Sequence, residues 1–265
     1  MLIGQNKLIK KLNNYSLDTL PKSILFLGPT GSGRKTIIKN LADRLNLEVV
    51  YVSEKVDAEK IIEYQQSITK KFYVIDLNEF TEKQQNQFLK LIEEPGLNVY
   101  IALIAESEIG ILDTILNRCI KYRLEPYTKD QLQELEWQTN YSITDLVYAV
   151  AKTPGAIINL DTNKLDELYS LCMNIVNKLI YASVANTTSI SAKINYKEEY
   201  DKYDFKMFFN MLQHCAYEKY LEDQSEIALK VYLFTSNCIK DLQIKSLNKE
   251  NFVINFLLEL KEAIR

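Results

Sequence analysis

The chain has 265 residues, of which 47% are apolar and 25% are charged, and its net charge is −3. This balance is typical of a globular protein with a buried core, and the length suits about two domains. The slightly acidic charge disfavours a protein coated with basic residues for nucleic acid. No apolar run approaches the about 18 residues of a membrane span. Residues 1–14 lack the apolar stretch of a signal peptide, so we expect a cytoplasmic protein without membrane contact.

The cysteines and the single histidine offer little metal or nucleophile chemistry. No C-x-x-C pair occurs, which disfavours a zinc knuckle and a disulfide framework. His214 lies in a tyrosine-rich helical segment, where we interpret it as structural. Free cysteines fit a reducing compartment.

The first 124 residues alternate between short apolar runs and helical patterns, such as Lys35–Leu45 and Glu82–Ile92. Continuous apolar strands separated by helices are typical of a parallel sheet that is covered on both faces. The predicted strands are Ile24–Leu27, Val49–Val52, Phe72–Asp76, Tyr100–Ala105 and Ile120–Leu124.

Glycine and proline divide the chain. All seven glycines and all five prolines lie at or before Gly155, so residues 156–265 contain neither. Because helix interiors exclude both residue types, this second part should be all-α. Before it, Lys129–Val150 reads as helical and Thr153–Gly155 as a turn. We predict an α/β domain over residues 1–124, a small helical domain over 125–165 and a helical domain over 166–265.

A glycine-rich loop follows the first predicted strand and precedes a helix, which is the setting of a phosphate-binding P-loop. Its glycines allow backbone N–H groups to converge on a phosphate. The candidate nucleotide-binding residues are Gly28, Gly31, Ser32, Gly33, Arg34, Lys35 and Thr36. The pattern G-x-x-x-x-G-K-[ST] places Arg34 at the lysine position and Lys35 at the Mg²⁺-binding position. A loop one residue longer would give these roles to Lys35 and Thr36. A glycine-rich turn without nucleotide is the third interpretation.

The third predicted strand ends in Asp76, as in a Walker B motif, where such an aspartate helps to hold Mg²⁺. The next residue is Leu77, which can neither accept a proton nor orient a water molecule. If the strand continued past Asp76, Glu79 would lie on the same face as Leu77 but about 6–7 Å further along the strand. That distance is too great for Glu79 to replace a catalytic glutamate. Asp76 could also serve only as a cap at the strand end.

Arg118 lies in the motif Asn117-Arg118-Cys119, ahead of the fifth predicted strand. In a P-loop protein that assembles into a ring, such an arginine can act as a finger on a phosphate held by the neighbouring subunit. The alternative is a surface ion pair with a carboxylate such as Glu106 or Glu108. We interpret Cys119 as a small buried residue rather than a reactive thiol.

These motifs and their order resemble the clamp-loader AAA+ proteins. Asn117-Arg118-Cys119 resembles their S-R-C motif, and Phe88–Pro95 is similar to the L-L-K-x-L-E-E-P segment that follows Walker B. Ile3-Gly4-Gln5 is similar to their adenine-side box, and the likeness covers residues 3–124. Further on, Thr153–Gly155 resembles the turn before sensor 2, and Asn251–Leu260 loosely resembles the last collar helix. The resemblance implies an AAA+ P-loop domain, a small helical lid and an all-α collar that holds a ring together.

The departures from the family pattern concern ATP chemistry. Besides the altered P-loop, Leu77 replaces the catalytic glutamate, Glu106 occupies the sensor 1 position, and Ala156 occupies the position of the sensor 2 arginine. A carboxylate that faces a phosphate is repelled by it. These changes disfavour ATP and Mg²⁺ as cofactors. Residues 37–70 contain no cysteine, so the zinc module of many bacterial relatives is not expected.

Loss of ATP chemistry with a retained Arg118 resembles the delta-prime family of the bacterial DNA polymerase III clamp loader. That resemblance implies a subunit that supplies its finger in trans but does not itself hydrolyse ATP. Its partners would be the gamma/tau ATPase and delta subunits and, through the complex, the sliding clamp and primed DNA. The alternative is an active AAA+ ATPase, either a gamma/tau-like motor or another remodeller. A delta subunit is disfavoured because that family lacks S-R-C.

Overall fold

The computed structural model describes residues 3–52, 58–181, 205–241, 255–256 and 259–260. These residues form two compact units. The first comprises Met1–Thr139 together with Thr153–Ile158, and the second comprises Asn140–Lys152 together with Asn159–Arg265. The division into three domains at residues 124 and 165 stays a prediction.

The first unit is built on a parallel sheet, and all five predicted strands are confirmed. The spatial order of the strands is β2-β3-β4-β1-β5, and each pairs in parallel with its neighbours. The strands are β1 Ser23–Leu27, β2 Glu48–Val52, β3 Lys71–Asp76, β4 Val99–Ala105 and β5 Ile120–Arg123. In a parallel sheet the carboxyl ends of the strands meet at one edge, so the loops after β1, β3 and β4 lie side by side.

Helices cover both faces of this sheet, as the continuous apolar strands predicted. In β1, Ile24 and Phe26 point to one face, and Leu25 and Leu27 point to the other. The first face packs on helices α1 (Asn6–Asn13) and α2 (Arg34–Arg44). The second packs on α3 (Ala58–Gln65), α5 (Leu89–Glu93) and α6 (Asp113–Leu116). Every residue of β1 and β4 is buried.

The predicted helix Glu82–Ile92 is interrupted. It consists of α4 (Glu82–Gln85), a 3-10 turn over Asn86–Phe88, and α5. In a 3-10 helix, side chains three residues apart lie on the same side, so one face of the segment can be buried. Gln85, Phe88 and Leu91 are spaced by three and are all fully buried.

Two further predictions between residues 129 and 158 need correction. The predicted helix Lys129–Val150 is divided into α7 (Lys129–Gln133), α8 (Glu136–Thr139) and α9 (Asp145–Val150). Asn140 adopts φ 58, a left-handed conformation that ends α8. Thr153–Gly155 is not a free turn, because Pro154 begins α10 (Pro154–Ile158). Proline is favoured at the first helical position, and the Thr153 hydroxyl caps this helix by accepting the Ala156 N–H at 3.3 Å.

The second unit is helical in all of its regular described structure, as the distribution of glycine and proline predicted. Its longer helices are α11 (Thr162–Tyr181), α12 (Phe205–Asp223) and α13 (Glu226–Asp241). Phe209 is fully buried and makes an edge-to-face contact with Phe256 at 4.9 Å between ring centroids. Most of the segment that we compared with a collar helix, residues 251–260, lies outside the described residues. None of the described helices is long and apolar enough to cross a membrane.

A buried glutamine connects α4 to the loop that leads into α6. The Gln85 side chain donates to the carbonyl oxygens of Gly110 at 2.8 Å and Phe80 at 3.3 Å, and its amide oxygen accepts the N–H of Leu112 at 3.2 Å. A buried donor or acceptor without a partner carries its full desolvation cost. Gln85 therefore fixes the backbone from which α6 and Arg118 follow.

We predict that Gln85→Leu loosens this loop, because the Gly110 carbonyl and the Leu112 N–H lose their partner. The cost should be about 1–3 kcal/mol. Amide hydrogen exchange of peptides covering residues 106–118 should therefore become faster. Gln87→Leu is the matched control, since Gln87 is exposed on the same segment. Unchanged exchange in Gln85→Leu would contradict the assignment of Gln85 as the anchor.

Candidate functional site

The predicted glycine-rich loop joins the end of β1 to the start of α2, in the strand–loop–helix order that a P-loop requires. Gly31 has φ 78 and Gly33 has φ 88, conformations that glycine adopts without a steric penalty. Gly33 directly precedes the first residue of α2. The local backbone thus follows from the glycine spacing.

The two alternative registers of the loop differ in which basic residue points inward. Arg34 is the first residue of α2 and is only 7% exposed, whereas Lys35 and Thr36 are exposed. The geometry therefore supports the register in which Arg34 stands at the usual lysine position. In this register Lys35 occupies the place of the Mg²⁺ ligand, which an ammonium group cannot fill.

The charge of Arg34 is balanced by carboxylates from two neighbouring strands. Burial lowers the pKa of the Arg34 guanidinium, and the negative charges of Asp76 and Glu106 act in the opposite direction. Glu106 also accepts a hydrogen bond from the Thr30 hydroxyl in the loop itself. The Nη1 atom of Arg34 and the hydroxyl of Ser32 are buried without a hydrogen-bond partner among the described residues. One cation thus faces two anions at this edge of the sheet.

Asp76 caps the turn that follows β3. Its carboxylate accepts the backbone N–H of Asn78 at 3.1 Å and the Asn78 side-chain amide at 2.8 Å. The chain continues as a 3-10 turn over Leu77–Glu79, so the extended geometry assumed for Glu79 is wrong. Leu77 is 1% exposed and belongs to the core, whereas Glu79 is exposed. No carboxylate therefore replaces the missing catalytic glutamate from this turn.

The segment before and within α10 lies directly against the tip of the loop. The Gly155 N–H donates to the Gly31 carbonyl at 2.9 Å, and the Thr153 hydroxyl donates to the Thr30 carbonyl at 3.1 Å. A Cβ atom on Gly155 would lie 2.7 Å from the Cα atom of Gly31, so both positions require glycine for close approach. Ala156, the expected sensor 2 position, contributes no charge here.

A cavity of about 510 Å³ borders the loop, Asp76 and α10. Its residues do not fit a magnesium triphosphate. The negative charges of Asp76 and Glu106 act on Arg34, and a phosphate would add further negative charge beside them. Lys35 stands where a hydroxyl ligand is needed. Within the described ranges, no group of three or more His, Cys, Asp or Glu side chains could hold a metal ion.

Arg118 lies between α6 and β5 with 40% of its side chain exposed. Its Nε atom is 2.7 Å from a carboxylate oxygen of Glu93, and its Nη1 atom donates to the carbonyl of Thr114 at 2.8 Å. The ion pair that we considered as the alternative to a finger is present, but its carboxylate is Glu93 and not Glu106 or Glu108. Glu106 bonds to Thr30, and Glu108 pairs with Arg123 at 2.9 Å.

The structure adds information on two residues close to Arg118, namely Cys119 and Glu93. Burial raises the pKa of the Cys119 thiol to about 12, with Lys121 acting weakly in the opposite direction. The thiol is thus protonated at neutral pH, although Cys119 is partly exposed and not fully buried. Glu93 was not singled out, although the E-E-P segment contains it. That segment offers two adjacent carboxylates, Glu93 and Glu94, and only the fold shows which one meets Arg118.

Comparison with known proteins agrees with this architecture. The family profile described as "DNA polymerase III, delta subunit" matches residues 54–128. The replication factor C small subunit of Thermofilum pendens is 23% identical over 205 residues, which cover 69% of this chain and 63% of that protein. DNA polymerase III subunit delta′ of Buchnera aphidicola is 35% identical over 79 residues, which cover 30% of this chain and 23% of that protein.

Over these residues the chain is similar to clamp-loader AAA+ proteins. The matches span less than two thirds of either curated relative's length. The RuvB Holliday junction branch migration motor of Thermotoga maritima shares the fold, with a TM-score of 0.50 at 16% identity over 68% of this chain and 76% of that chain. The α/β AAA+ fold, with helical structure in the C-terminal part, is thereby confirmed.

We predict that this protein binds Mg²⁺-ATP weakly or not at all. Glu106→Gln should strengthen binding by up to about tenfold, because it removes one of the two negative charges beside Arg34. Isothermal titration calorimetry with ATP, with and without Mg²⁺, measures both affinities. Glu108→Gln is the matched control, since Glu108 is near in sequence and pairs with Arg123 instead. Micromolar, Mg²⁺-dependent binding by the unaltered chain would contradict the prediction and favour the Lys35–Thr36 register.

Proposed function

We propose that this protein is a delta-prime-type subunit of a DNA polymerase III clamp loader. In this role it does not hydrolyse ATP and supplies Arg118 to ATP held by a neighbouring ATPase subunit. The observation that carries the proposal is the contrast between two arginines. Arg34, in the protein's own loop, is buried and balanced by carboxylates, whereas Arg118 is solvent-accessible.

The absence of hydrolysis rests on the turn after β3. A hydrolytic AAA+ site needs a group that accepts a proton from, or orients, the attacking water. Leu77 occupies that position and is directed into the core. Asp76 is engaged with Asn78 as a cap. Neither residue can perform the step, and the exposed Glu79 lies beyond the turn.

The finger role rests on the chemistry of the Arg118 side chain. A guanidinium is planar, remains charged and binds phosphate oxygens through two N–H groups at once. As negative charge develops on a transferred phosphoryl group, such a residue stabilises the transition state. The position of Arg118, ahead of β5 in a clamp-loader AAA+ domain, supports this role.

The proposed setting is a hetero-oligomeric ring in the cytoplasm. Its other members would be gamma/tau-type ATPase and delta-type subunits, and it would place a sliding clamp on primed DNA. The helical unit would serve as the collar that joins these subunits. The proposed lid, residues 125–165, and collar, residues 166–265, keep their sequence-based boundaries within this proposal.

One observation favours a second candidate, an active AAA+ ATPase. The cavity beside the loop is roomy, and Thr36 lies on its lining. A gamma/tau-like motor or another remodeller could use it if Lys35 and Thr36 took over the P-loop roles and a partner supplied the missing glutamate. Hydrolysis by the isolated chain distinguishes this candidate from a silent subunit.

We predict that the purified chain shows no ATPase activity above background, because Leu77 cannot position water. A coupled assay with saturating Mg²⁺-ATP tests this, and Asp76→Ala identifies any contaminating activity. Steady hydrolysis that disappears in Asp76→Ala would refute the silent-subunit proposal and support the active ATPase.

We predict that Arg118→Ala lowers the DNA- and clamp-stimulated ATPase rate of the reconstituted loader. A finger contributes about 10³–10⁵ in rate in related phosphoryl-transfer systems, but a ring with several fingers should lose less. Copurification with the partners should persist. The Arg118–Glu93 pair is solvent-accessible and worth at most about 1 kcal/mol, so the melting temperature of the isolated chain should change little.

Arg123→Ala is the matched control for Arg118→Ala, because Arg123 is also an exposed arginine paired with a glutamate. Arg118→Lys should restore little activity, since an ammonium lacks the planar fork. Normal loading by Arg118→Ala, together with a large loss of thermal stability in isolation, would show that Arg118 is a structural residue.

A further inference from the structure

The guanidinium of Arg118 is held at two points by its own chain. The Nε atom meets the Glu93 carboxylate at 2.7 Å, and the Nη1 atom donates to the Thr114 carbonyl at 2.8 Å. Two contacts on different atoms of one plane restrict its rotation as well as its position. A single contact would leave the group free to turn about that bond.

Both contacts leave donors available. A guanidinium has five N–H donors, one on Nε and two on each terminal nitrogen. Thr114 accepts from one Nη1 donor and Glu93 forms an ion pair at Nε, so at least three of the five donors remain, and Nη2 has no partner among the described residues. A phosphate needs two parallel donors for bidentate binding. The contact with Glu93 is therefore compatible with phosphate binding by the remaining donors.

The backbone around Arg118 is fixed by groups other than Glu93. Gln85 holds Gly110 and Leu112 at the entrance to α6, and the Arg118 N–H donates to the Ile115 carbonyl at 3.0 Å. Loss of the Glu93 carboxylate should therefore release the side chain without displacing the main chain. Its effect should be confined to the orientation of the guanidinium.

We propose that Glu93 is the positioning residue for Arg118, holding the guanidinium in the orientation in which it meets a neighbour's phosphate. This inference rests on the proposed function of Arg118. An arginine side chain loses considerable rotamer freedom when it binds. By holding Nε beforehand, Glu93 removes part of that freedom before the ring assembles. Rates of phosphoryl transfer are sensitive to such placement, because misplacement by about 1 Å can lower them 100-fold.

The pair contributes little to stability, which makes the inference separable from a structural role. Glu93 and Arg118 are 42% and 40% exposed, and ion pairs of such accessibility contribute little. If Glu93 matters, its effect must appear in the rate of the assembled complex rather than in folding.

The test is Glu93→Gln in the full chain, assembled with its ATPase and delta partners, the clamp and primed DNA. Glutamine keeps an acceptor oxygen and the side-chain length but loses the charge that orients Nε. We expect kcat for ATP hydrolysis to fall about twofold to tenfold, because a less well-placed guanidinium raises the barrier by a small amount. KM for ATP and copurification of the subunits should not change, because the proposed role of Glu93 is limited to the orientation of Arg118.

Glu94→Gln is the matched control. Glu94 is the exposed adjacent residue, and its carboxylate has no ion pair or hydrogen bond within the described residues. The complex assembled with Glu94→Gln should hydrolyse ATP with the same kcat as the unaltered complex. Glu93→Gln combined with Arg118→Ala should be no slower than Arg118→Ala alone, because a positioning residue has no effect once the positioned group is absent. Melting curves of each isolated variant confirm that it folds.

The outcomes separate this inference from the proposed function. If Arg118→Ala leaves the ATPase rate unchanged, the proposed function fails, and the role of Glu93 fails with it. If Arg118→Ala lowers the rate but Glu93→Gln does not, only the positioning role is overturned. A faster Glu93→Gln complex would show that Glu93 restrains the finger. Equal loss in the presence and absence of Arg118 would show that Glu93 acts elsewhere.

Discussion

The charge of Arg34 is balanced inside the protein, and much of the site follows from this balance. The parallel sheet places the ends of β1, β3 and β4 side by side, so that the charges of Asp76 and Glu106 act on the same guanidinium. In a functional P-loop the basic residue is balanced by phosphate. In this protein the negative charges next to the basic residue come from Asp76 and Glu106. Hydrogen bonds at its tip hold the loop in place, and a phosphate would bring further negative charge beside the two carboxylates.

The same sheet topology places the solvent-accessible Arg118 in a different segment from the site around Arg34. After β4 the chain passes Glu106, turns at Gly110, forms α6 and reaches Arg118 before it returns as β5. Gln85 and Glu93, from the segment that follows the Asp76 cap, hold the beginning and the end of that excursion. Contacts at both ends thus fix the segment that carries Arg118. This arrangement suits a subunit that acts on ATP bound elsewhere.

The sequence predicted the sheet well because each strand is a short apolar run, and such runs in alternation with helices have few other solutions. It also located the loop, Asp76 and Arg118. It did not predict where the helices break, because those breaks depend on long-range packing of Gln85 and Phe88 and on the left-handed Asn140. Nor could it identify the partner of Arg118. Glu93, Glu106 and Glu108 are equivalent as charges, and only their placement distinguishes them.

Packing within the first unit gives the glycine-rich loop a role that needs no nucleotide. Gly31 and Gly155 approach so closely that a side chain on either would displace backbone. The Thr153 hydroxyl and the Gly155 N–H satisfy carbonyl groups at the loop tip, and Tyr127 donates to the Ser32 carbonyl at 2.8 Å. Buried carbonyl groups without partners are costly, so these contacts select the curled loop conformation. The shape of a phosphate-binding loop is therefore maintained here by contacts within the protein. Its presence establishes the fold, and the residues around it decide whether it binds a nucleotide.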